Sequence, residues 1–147
     1  MFKLSLIILF SFRGERFAFG HHYLRPHETY HEPTRKFYPN EVMRVPLYEI
    51  ISLDLIWARC WVLDPMTYCK GRPIEAVEEH VYICEYRVDK TAHLFYKISK
   101  SQSRANLCLK SYAFETFETR LKPVRTYTVC IALYLGNWYL LHVVFVY

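Results

Sequence analysis

The chain has 147 residues, of which 52% are hydrophobic and 18% aromatic, and its formal net charge is +5. This length suffices for one domain with its own core, and the apolar content excludes a disordered chain. With only four glycines, the sequence also excludes a glycine-rich phosphate loop. The modest positive charge permits contact with an acidic partner but does not by itself predict nucleic-acid binding.

The first half of the chain predicts short strands and loops. Loose apolar alternation predicts a strand at residues 16–24, followed by a polar, proline-containing loop that runs to Pro39. Residues 41–44 indicate a short strand. Residues 48–63 have the composition of buried strands joined by a tight bend. Residues 65–77, with Gly71 and two prolines, predict a loop.

The second half repeats this pattern. Residues 79–88 predict a strand, residues 89–91 a turn, and residues 92–98 the partner strand of a hairpin. A polar loop at residues 99–104 precedes a short predicted helix at residues 111–121, with Ser111 as its cap. Short strands at close spacing favour a small β-barrel or sandwich.

The five cysteines favour a reducing compartment. Their number is odd, their spacings are wide and no C-x-x-C pair occurs, so neither a zinc knot nor a disulfide framework is predicted. Cys60 and Cys84 lie in apolar, strand-like runs, and we expect them to be reduced core residues. Reduced core thiols are typical of cytosolic or nuclear proteins.

Both ends of the chain are apolar. Residues 4–12 resemble the core of a signal peptide but are not followed by a small-residue cleavage site. Residues 129–147 carry no charged side chain and are long enough to span a bilayer, although Gly136, Asn137 and His142 interrupt them. The alternatives are a buried strand pair or sequence outside the domain. A small secreted or membrane-tethered protein therefore remains one hypothesis.

Residues His27 to His31 spell H-E-T-Y-H, which matches the zinc-protease pattern H-E-x-x-H. That site needs a helix, because His27 and His31 must share one face with Glu28 between them as general base. Pro26 and Pro33 limit any helix here to less than two turns. The sequence therefore favours a polar loop, and a zinc-dependent hydrolase using His27, Glu28 and His31, with Glu49 as third ligand, is the alternative.

The same stretch carries a longer pattern. Residues 25–31 read R-P-x-E-T-x-H, residues 35–37 read R-x-F and residues 40–42 read N-E-V. This run resembles the central motif of the bromo-adjacent homology (BAH) domain. The resemblance continues through Y-C-K-G-R-P at residues 68–73 and V-Y-I-C-E-Y-R at residues 81–87, segments that look most like polybromo-type BAH domains. It implies a mainly β, small distorted β-barrel-like BAH fold with short helical additions and with its N-terminal strands missing.

The resemblance also implies a domain organisation and a function. We expect a partial BAH domain at residues 16–117, a non-domain apolar segment at residues 1–15 and an apolar extension at residues 118–147. The implied function is a non-catalytic chromatin-binding module, without metal or cofactor, in a nuclear SWI/SNF-type remodelling complex that regulates transcription. The implied partners are nucleosomes or histone tails, other subunits of the remodeller and DNA through non-specific contacts, whereas a membrane is not expected.

Two sets of side chains are candidates for partner contacts. Some BAH domains hold methylated lysine in an aromatic cage through cation–π attraction. The aromatic candidates here are Trp57, Trp61, Tyr68, Tyr82 and Tyr86, with core packing as the alternative for each. Candidates for contact with nucleosomal phosphates or an acidic partner are Arg35, Lys36, Arg44, Lys97, Lys100 and Arg104.

A third set forms the structural motif itself. Its members are Arg25, Pro26, Glu28, His31, Arg35 and Phe37. Glu28 and Arg35 could form a charge-assisted pair that pins the loop. We expect His31 to complete a hydrogen-bond network, because buried polar groups need partners.

Overall fold

The computed structural model describes residues 3–89, 93–98, 113–128 and 143–146, and most of these residues lie in strands. The strands are β1 (Lys3–Phe12), β2 (Glu15–Leu24), β3 (Lys36–Phe37), β4 (Met43–Ser52), β5 (Ile56–Leu63), β6 (Gly71–Pro73), β7 (Val81–Ile83), β8 (Tyr86–Asp89), β9 (Leu94–Lys97), β10 (Phe114–Thr116), β11 (Thr126–Tyr127) and β12 (Val143–Val146). Within these ranges there is one α-helix, α1 (Pro65–Lys70), and there are 3-10 turns at Pro26–Glu28, Leu53–Leu55 and Glu78–His80. The predicted mainly β architecture with short helical additions is confirmed.

Eight of the strands form one sheet, in the order β7-β5-β12-β1-β2-β4-β8-β9. Strand β2 pairs antiparallel with β1 on one side and with β4 on the other. Strand β12 runs parallel to both β1 and β5, and β8 pairs antiparallel with β9. Two small sheets, β10-β6 and β11-β3, attach residues 114–116 and 126–127 to earlier parts of the chain.

The β1–β2 hairpin turns at Arg13 and Gly14, whose φ angles are 53° and 84°. Two consecutive positive φ angles are typical of the tight hairpin turns that match strand twist, and glycine adopts them without a steric cost. The predicted strand at residues 16–24 is confirmed as β2. β1 lies in the segment predicted to precede the domain, and it pairs with β2 along its length. The domain limits themselves stay a prediction.

Strands β4 and β5 are the two strands predicted around a tight bend. The bend is the 3-10 turn Leu53–Leu55, where Ser52 Oγ accepts a hydrogen bond from the Asp54 N–H at 3.3 Å. The prediction that the whole stretch is buried is wrong, since Tyr48 and Ile50 are more than half exposed. The β2–β4 register shifts between His21 and Tyr23 of β2. Pro46 lies at the corresponding place in β4, and proline cannot donate a ladder hydrogen bond.

The loop predicted at residues 65–77 is wrong in its first part, which is helix α1. The Asp64 carboxylate accepts hydrogen bonds from the N–H groups of Met66 and Thr67 at 3.0 and 3.1 Å, and Pro65 occupies the first turn. The Asp-Pro pair was therefore a helix-start signal. After the helix, Gly71 lets β10 approach closely, because an added Cβ would lie 2.0 Å from the Glu115 carbonyl oxygen.

Two further sequence predictions differ from the structure. The strand predicted at residues 79–88 is divided at Cys84 and Glu85, because β7 pairs with β5 while β8 pairs with β4. The helix predicted at residues 111–121 is wrong for its described part, where β10 pairs with β6. Here tertiary pairing outweighs local helix propensity. The predicted β8–β9 hairpin is confirmed, while most of its turn and the loop at residues 99–104 lie outside the described residues.

Cys60 and Cys84 are buried and unbridged, as predicted. They lie in one apolar cluster with Tyr23, Val42 and Tyr82. Burial raises the pKa of the Cys84 thiol to about 12, since the apolar surroundings disfavour the thiolate. No helix among the described residues is long and apolar enough to cross a membrane. Most of the candidate span at residues 129–147 lies outside the described residues.

The segment from Ala113 to Thr128 is fastened to the sheet by a charged group as well as by strand pairing. The Glu85 carboxylate forms an ion pair with the guanidinium of Arg125 and lies 2.8 Å from Lys97 Nζ. The Arg125 guanidinium also lies 4.4 Å from the centre of the Tyr38 ring. One largely buried carboxylate therefore connects three segments of the chain.

We expect Glu85→Gln to lower the free energy of unfolding by roughly 2–4 kcal/mol, because it leaves Arg125 without its counter-charge. The measurement is the midpoint of urea unfolding. Glu75→Gln is the matched control, since it breaks an exposed pair with Arg59 and should cost less than about 1 kcal/mol. Equal effects of the two substitutions would contradict this assignment.

His21 generates a second prediction. Burial first, and the nearby positive charge of Arg44 second, lower its pKa to about 4. The His21 ring therefore binds a proton near pH 6.5 in the unfolded chain, but only near pH 4 in the folded chain. Stability should fall as pH drops through this window, by about 3 kcal/mol in total from this group.

Urea unfolding at a series of pH values measures this loss. His21→Gln should flatten the dependence of stability on pH between pH 6.5 and 4, and the control His93→Gln, at an exposed histidine, should leave it unchanged. An unaltered pH slope in His21→Gln would show that another group causes it.

Candidate functional site

The H-E-T-Y-H stretch is a closed turn. Pro26–Glu28 forms a single 3-10 turn, and Thr29 returns to extended backbone at φ −114° and ψ 148°. The Glu28 carboxylate accepts a hydrogen bond from the Arg25 N–H at 2.7 Å, and the Thr29 hydroxyl donates to the Pro26 carbonyl oxygen at 2.8 Å. The helix that would place both histidines on one face is not formed here, so the zinc-hydrolase geometry is not assembled.

His31 has two backbone partners. Its Nδ1 lies 3.0 Å from the Thr29 carbonyl oxygen and its Nε2 lies 3.0 Å from the Thr128 carbonyl oxygen. Its ring meets the Phe37 ring edge-on, with centroids 4.8 Å apart. Both ring nitrogens therefore face acceptors inside the protein, and His31 links the motif to the segment that contains Thr128.

The other proposed zinc ligand lies elsewhere. Glu49 is on β4, and its Oε2 lies 2.7 Å from Nε2 of His22 on β2. Among the residues that the structure describes, no group of three or more His, Cys, Asp or Glu side chains is placed to hold a metal ion.

Arg35 lies in a box of three aromatic rings, which we call the Arg35 box. Its guanidinium carbon is 3.9 Å from the centroid of Phe95, 4.8 Å from that of Tyr86 and 5.6 Å from that of Phe37. A cation–π contact contributes about 0.5–1 kcal/mol at an exposed site and about 2 kcal/mol or more when the cation is desolvated. The predicted partner of Arg35 was Glu28, but the structure places these rings around the guanidinium.

Glu41 and Val42 carry the end of the motif into the core. The Val42 N–H donates to the Ile83 carbonyl oxygen at 2.8 Å, and the Ile83 N–H donates to the Asn40 carbonyl oxygen at 2.9 Å. The Glu41 carboxylate accepts from the Tyr38 N–H at 2.8 Å. Burial raises the pKa of Glu41, whose side chain is almost fully enclosed. The N-E-V tripeptide is thus a strand-like bridge to β7.

The five aromatic candidates do not converge on one cage. Trp61 and Tyr68 are buried in the same apolar cluster. Tyr82 is buried in another, with the Arg25 guanidinium 5.3 Å from its ring centroid, and Tyr86 is a wall of the Arg35 box. Trp57 alone among the five is exposed, at 65%, with the His80 ring 6.2 Å away.

The basic candidates also divide. Arg35 is enclosed by rings, Lys97 is paired with Glu85, and Lys36 is exposed with its Nζ 4.7 Å from the Tyr127 ring centroid. Arg44 is half-buried on β4. Lys100 and Arg104 lie outside the described residues.

Sequence reasoning missed Arg87, an exposed residue on β8 that is the cross-strand partner of Arg44. Alternation along the V-Y-I-C-E-Y-R segment could have placed its side chain opposite Val88, but only the β4–β8 pairing brings it beside Arg44.

Similarity to known proteins extends over most of the chain. The BAH domain family matches residues 9–99. The chain is 57% identical over 115 residues to the histone-lysine N-methyltransferase ash1 of Drosophila melanogaster, a match that covers 78% of this chain and 5% of ash1. It is 40% identical over 116 residues to the probable histone-lysine N-methyltransferase lin-59 of Caenorhabditis elegans, covering 78% of this chain and 9% of lin-59.

Similarity also reaches remodelling subunits. The chromatin structure-remodeling complex subunit RSC2 of Saccharomyces cerevisiae is 33% identical over 76 residues, which covers 52% of this chain and 8% of RSC2. The crystal structure of the yeast Rsc2 BAH domain superposes with a TM-score of 0.60 at 27% identity, over 67% of this chain and 43% of that one.

The chain therefore spans only a small part of the curated relatives that it matches. The family match covers more than half of the chain. The superposition on the Rsc2 BAH domain confirms the predicted BAH-like fold. This chain belongs to the BAH domain family.

Proposed function

We propose that this chain is a non-catalytic chromatin-binding module that acts in the nucleus on nucleosomes or histone tails. The observation that carries the proposal is that one domain, matched over residues 9–99, is shared with two kinds of protein. Some are named as histone-lysine methyltransferases and others as subunits of a chromatin-remodelling complex. The common element is the chromatin target, and this supports a docking role for the shared domain.

The methyltransferase activity named for two relatives is not attributed to this chain. The match covers 5% of ash1 and 9% of lin-59, so most of each enzyme lies outside it. The arrangement of the H-E-T-Y-H turn, with its histidines off any common helix face, supports a scaffold role for that motif as well.

The proposal also concerns the kind of protein that contains this domain. The motifs alone suggest a polybromo-type subunit of a SWI/SNF-type remodeller that regulates transcription. The two named methyltransferases are 57% and 40% identical to the chain over 78% of its length. RSC2 is 33% identical over 52% of the chain's length. We therefore favour a chromatin-modifying parent of the first kind, with a remodeller subunit as the alternative.

We infer a docking position from the exposed side chains. Trp61, Tyr68 and Tyr82 are buried and Tyr86 lines the Arg35 box, so Trp57 is the one exposed member of the five. Tryptophan is among the residues that contribute most to affinity when an interface buries them. We place Trp57, on β5 of the large sheet, among the partner contacts.

The first test is binding of the purified chain to mononucleosomes and to arrays of modified histone-tail peptides. We expect saturable nucleosome binding that weakens as salt rises, because contacts with phosphates or acidic side chains are screened. A folded chain that binds neither nucleosomes nor any histone peptide would refute the proposal.

Trp57→Ala is the second test. We expect nucleosome affinity to fall about fivefold to thirtyfold, since a contacting tryptophan contributes about 1–2 kcal/mol, while the melting temperature changes little at this exposed site. Val124→Ala, at another exposed apolar residue, should leave affinity unchanged. Equal affinities of Trp57→Ala and the unaltered chain would remove Trp57 from the binding surface.

A further inference from the structure

A row of four side chains crosses one end of the large sheet. Tyr23 on β2 is paired with Arg44 on β4, Arg44 with Arg87 on β8, and Arg87 with Tyr96 on β9. Cross-strand partners point to the same face of a sheet, and adjacent strands are about 4.8 Å apart. Two arginines therefore stand side by side, between two tyrosines. We call this set the arginine row.

In the part of the chain that the structure describes, neither arginine of the row is paired with a carboxylate, whereas several other basic groups are. Arg59 is paired with Glu75, while Lys97 and Arg125 are paired with Glu85. Across residues 3–89, 93–98, 113–128 and 143–146, no ion pair is formed by Arg44 or Arg87. Like charges directly opposite each other destabilise a sheet, so an anion bound between them would relieve the repulsion.

Tyr23 is buried, whereas the end of the row formed by Arg87 and Tyr96 is accessible. Arg87 is exposed, and its guanidinium carbon lies 5.1 Å from the centroid of Tyr96, whose side chain is 40% exposed. Arg44 is half-buried, and its charge reaches the interior, where burial and Arg44 together lower the pKa of His21. The positive charge at Arg44 is thus felt by its neighbour His21.

We infer that the arginine row binds the phosphodiester backbone of nucleic acid, an inference that rests on the proposed function and names one of its contacts. Guanidinium groups form bidentate hydrogen bonds to phosphate oxygens, and two of them on adjacent strands can share one phosphate or hold two successive ones. The exposed Tyr96 ring offers a stacking face for a sugar or base, which a carboxylate partner would not need. Such binding carries no sequence preference, because phosphate contacts position a protein without reading bases.

The experiment is fluorescence anisotropy of a labelled random-sequence DNA duplex titrated with the intact chain at several salt concentrations. Arg44→Gln/Arg87→Gln should weaken binding about tenfold. It should also make the slope of log K against log salt shallower by about 1.8, since each lost phosphate contact removes about 0.9. Arg87→Gln alone, at an exposed residue, should weaken binding about threefold without any change in folding.

Arg120→Gln/Lys122→Gln is the matched control, because it removes the same charge from exposed positions elsewhere and should change affinity less than about twofold. The inference is overturned if the two double variants lose equal affinity, or if polyglutamate competes as well as unlabelled DNA. It is also overturned if the unaltered chain binds nucleosomes but not free duplex, and in that case the proposed function stands. Loss of both nucleosome and histone-peptide binding with duplex binding intact would instead count against the proposed function.

Discussion

The structure depends on holding a long, irregular loop against the sheet, and the Arg35 box does this. Between β2 and β4 the chain has only one 3-10 turn and the two-residue strand β3, so few backbone hydrogen bonds fix its path. The Arg35 guanidinium reaches from the loop to Phe95 on β9 and Tyr86 on β8. Phe37, two residues further on, completes the box from the loop side and is almost fully buried. A cation and a phenylalanine on one short segment therefore attach the loop to a hairpin distant in sequence.

The segment from Ala113 to Thr128 depends on the same loop. Its strand β11 pairs with β3, and the Thr128 carbonyl oxygen meets the ring of His31. Arg125 extends the connection to Glu85, which also holds Lys97 on β9. The motif residues thus act as the junction of three parts of the chain, which is a structural reason for histidine, arginine and phenylalanine in this loop without any catalytic role.

Much of the fold could be predicted from sequence, because apolar alternation identifies strands such as β2 and the β8–β9 hairpin directly. The prolines around the H-E-T-Y-H stretch likewise excluded a long helix. The failures have a common physical cause. β10 was predicted as part of a helix because Ser111 is a good cap, but its conformation is set by pairing with β6 across a glycine. The predicted strand at residues 79–88 is divided for the same reason, since its first half pairs with β5 and its second half pairs with β4.

The candidate site was less predictable than the fold. Residue type alone gave five aromatic candidates for a cage, with core packing as the alternative for each, and burial separates Trp61 and Tyr82 into different clusters. The box that does enclose a cation is made from Phe37, Tyr86 and Phe95, and the cation is the chain's own Arg35. The pairing of Arg44 with Arg87 needs the β4–β8 register, which joins strands far apart in sequence. Local periodicity carries no information about that register.

The central claim is that the motif loop is scaffold and that chromatin contacts the sheet surface elsewhere. Hydroxyl-radical footprinting of the chain with and without nucleosomes tests it most directly, because it reports the exposure of individual side chains. Tyr96 on β9 and Tyr30 in the motif loop are similarly exposed in the free protein, at 40% and 47%. We expect nucleosomes to protect Tyr96 and to leave Tyr30 reactive. Protection of Tyr30 with Tyr96 unchanged would contradict it.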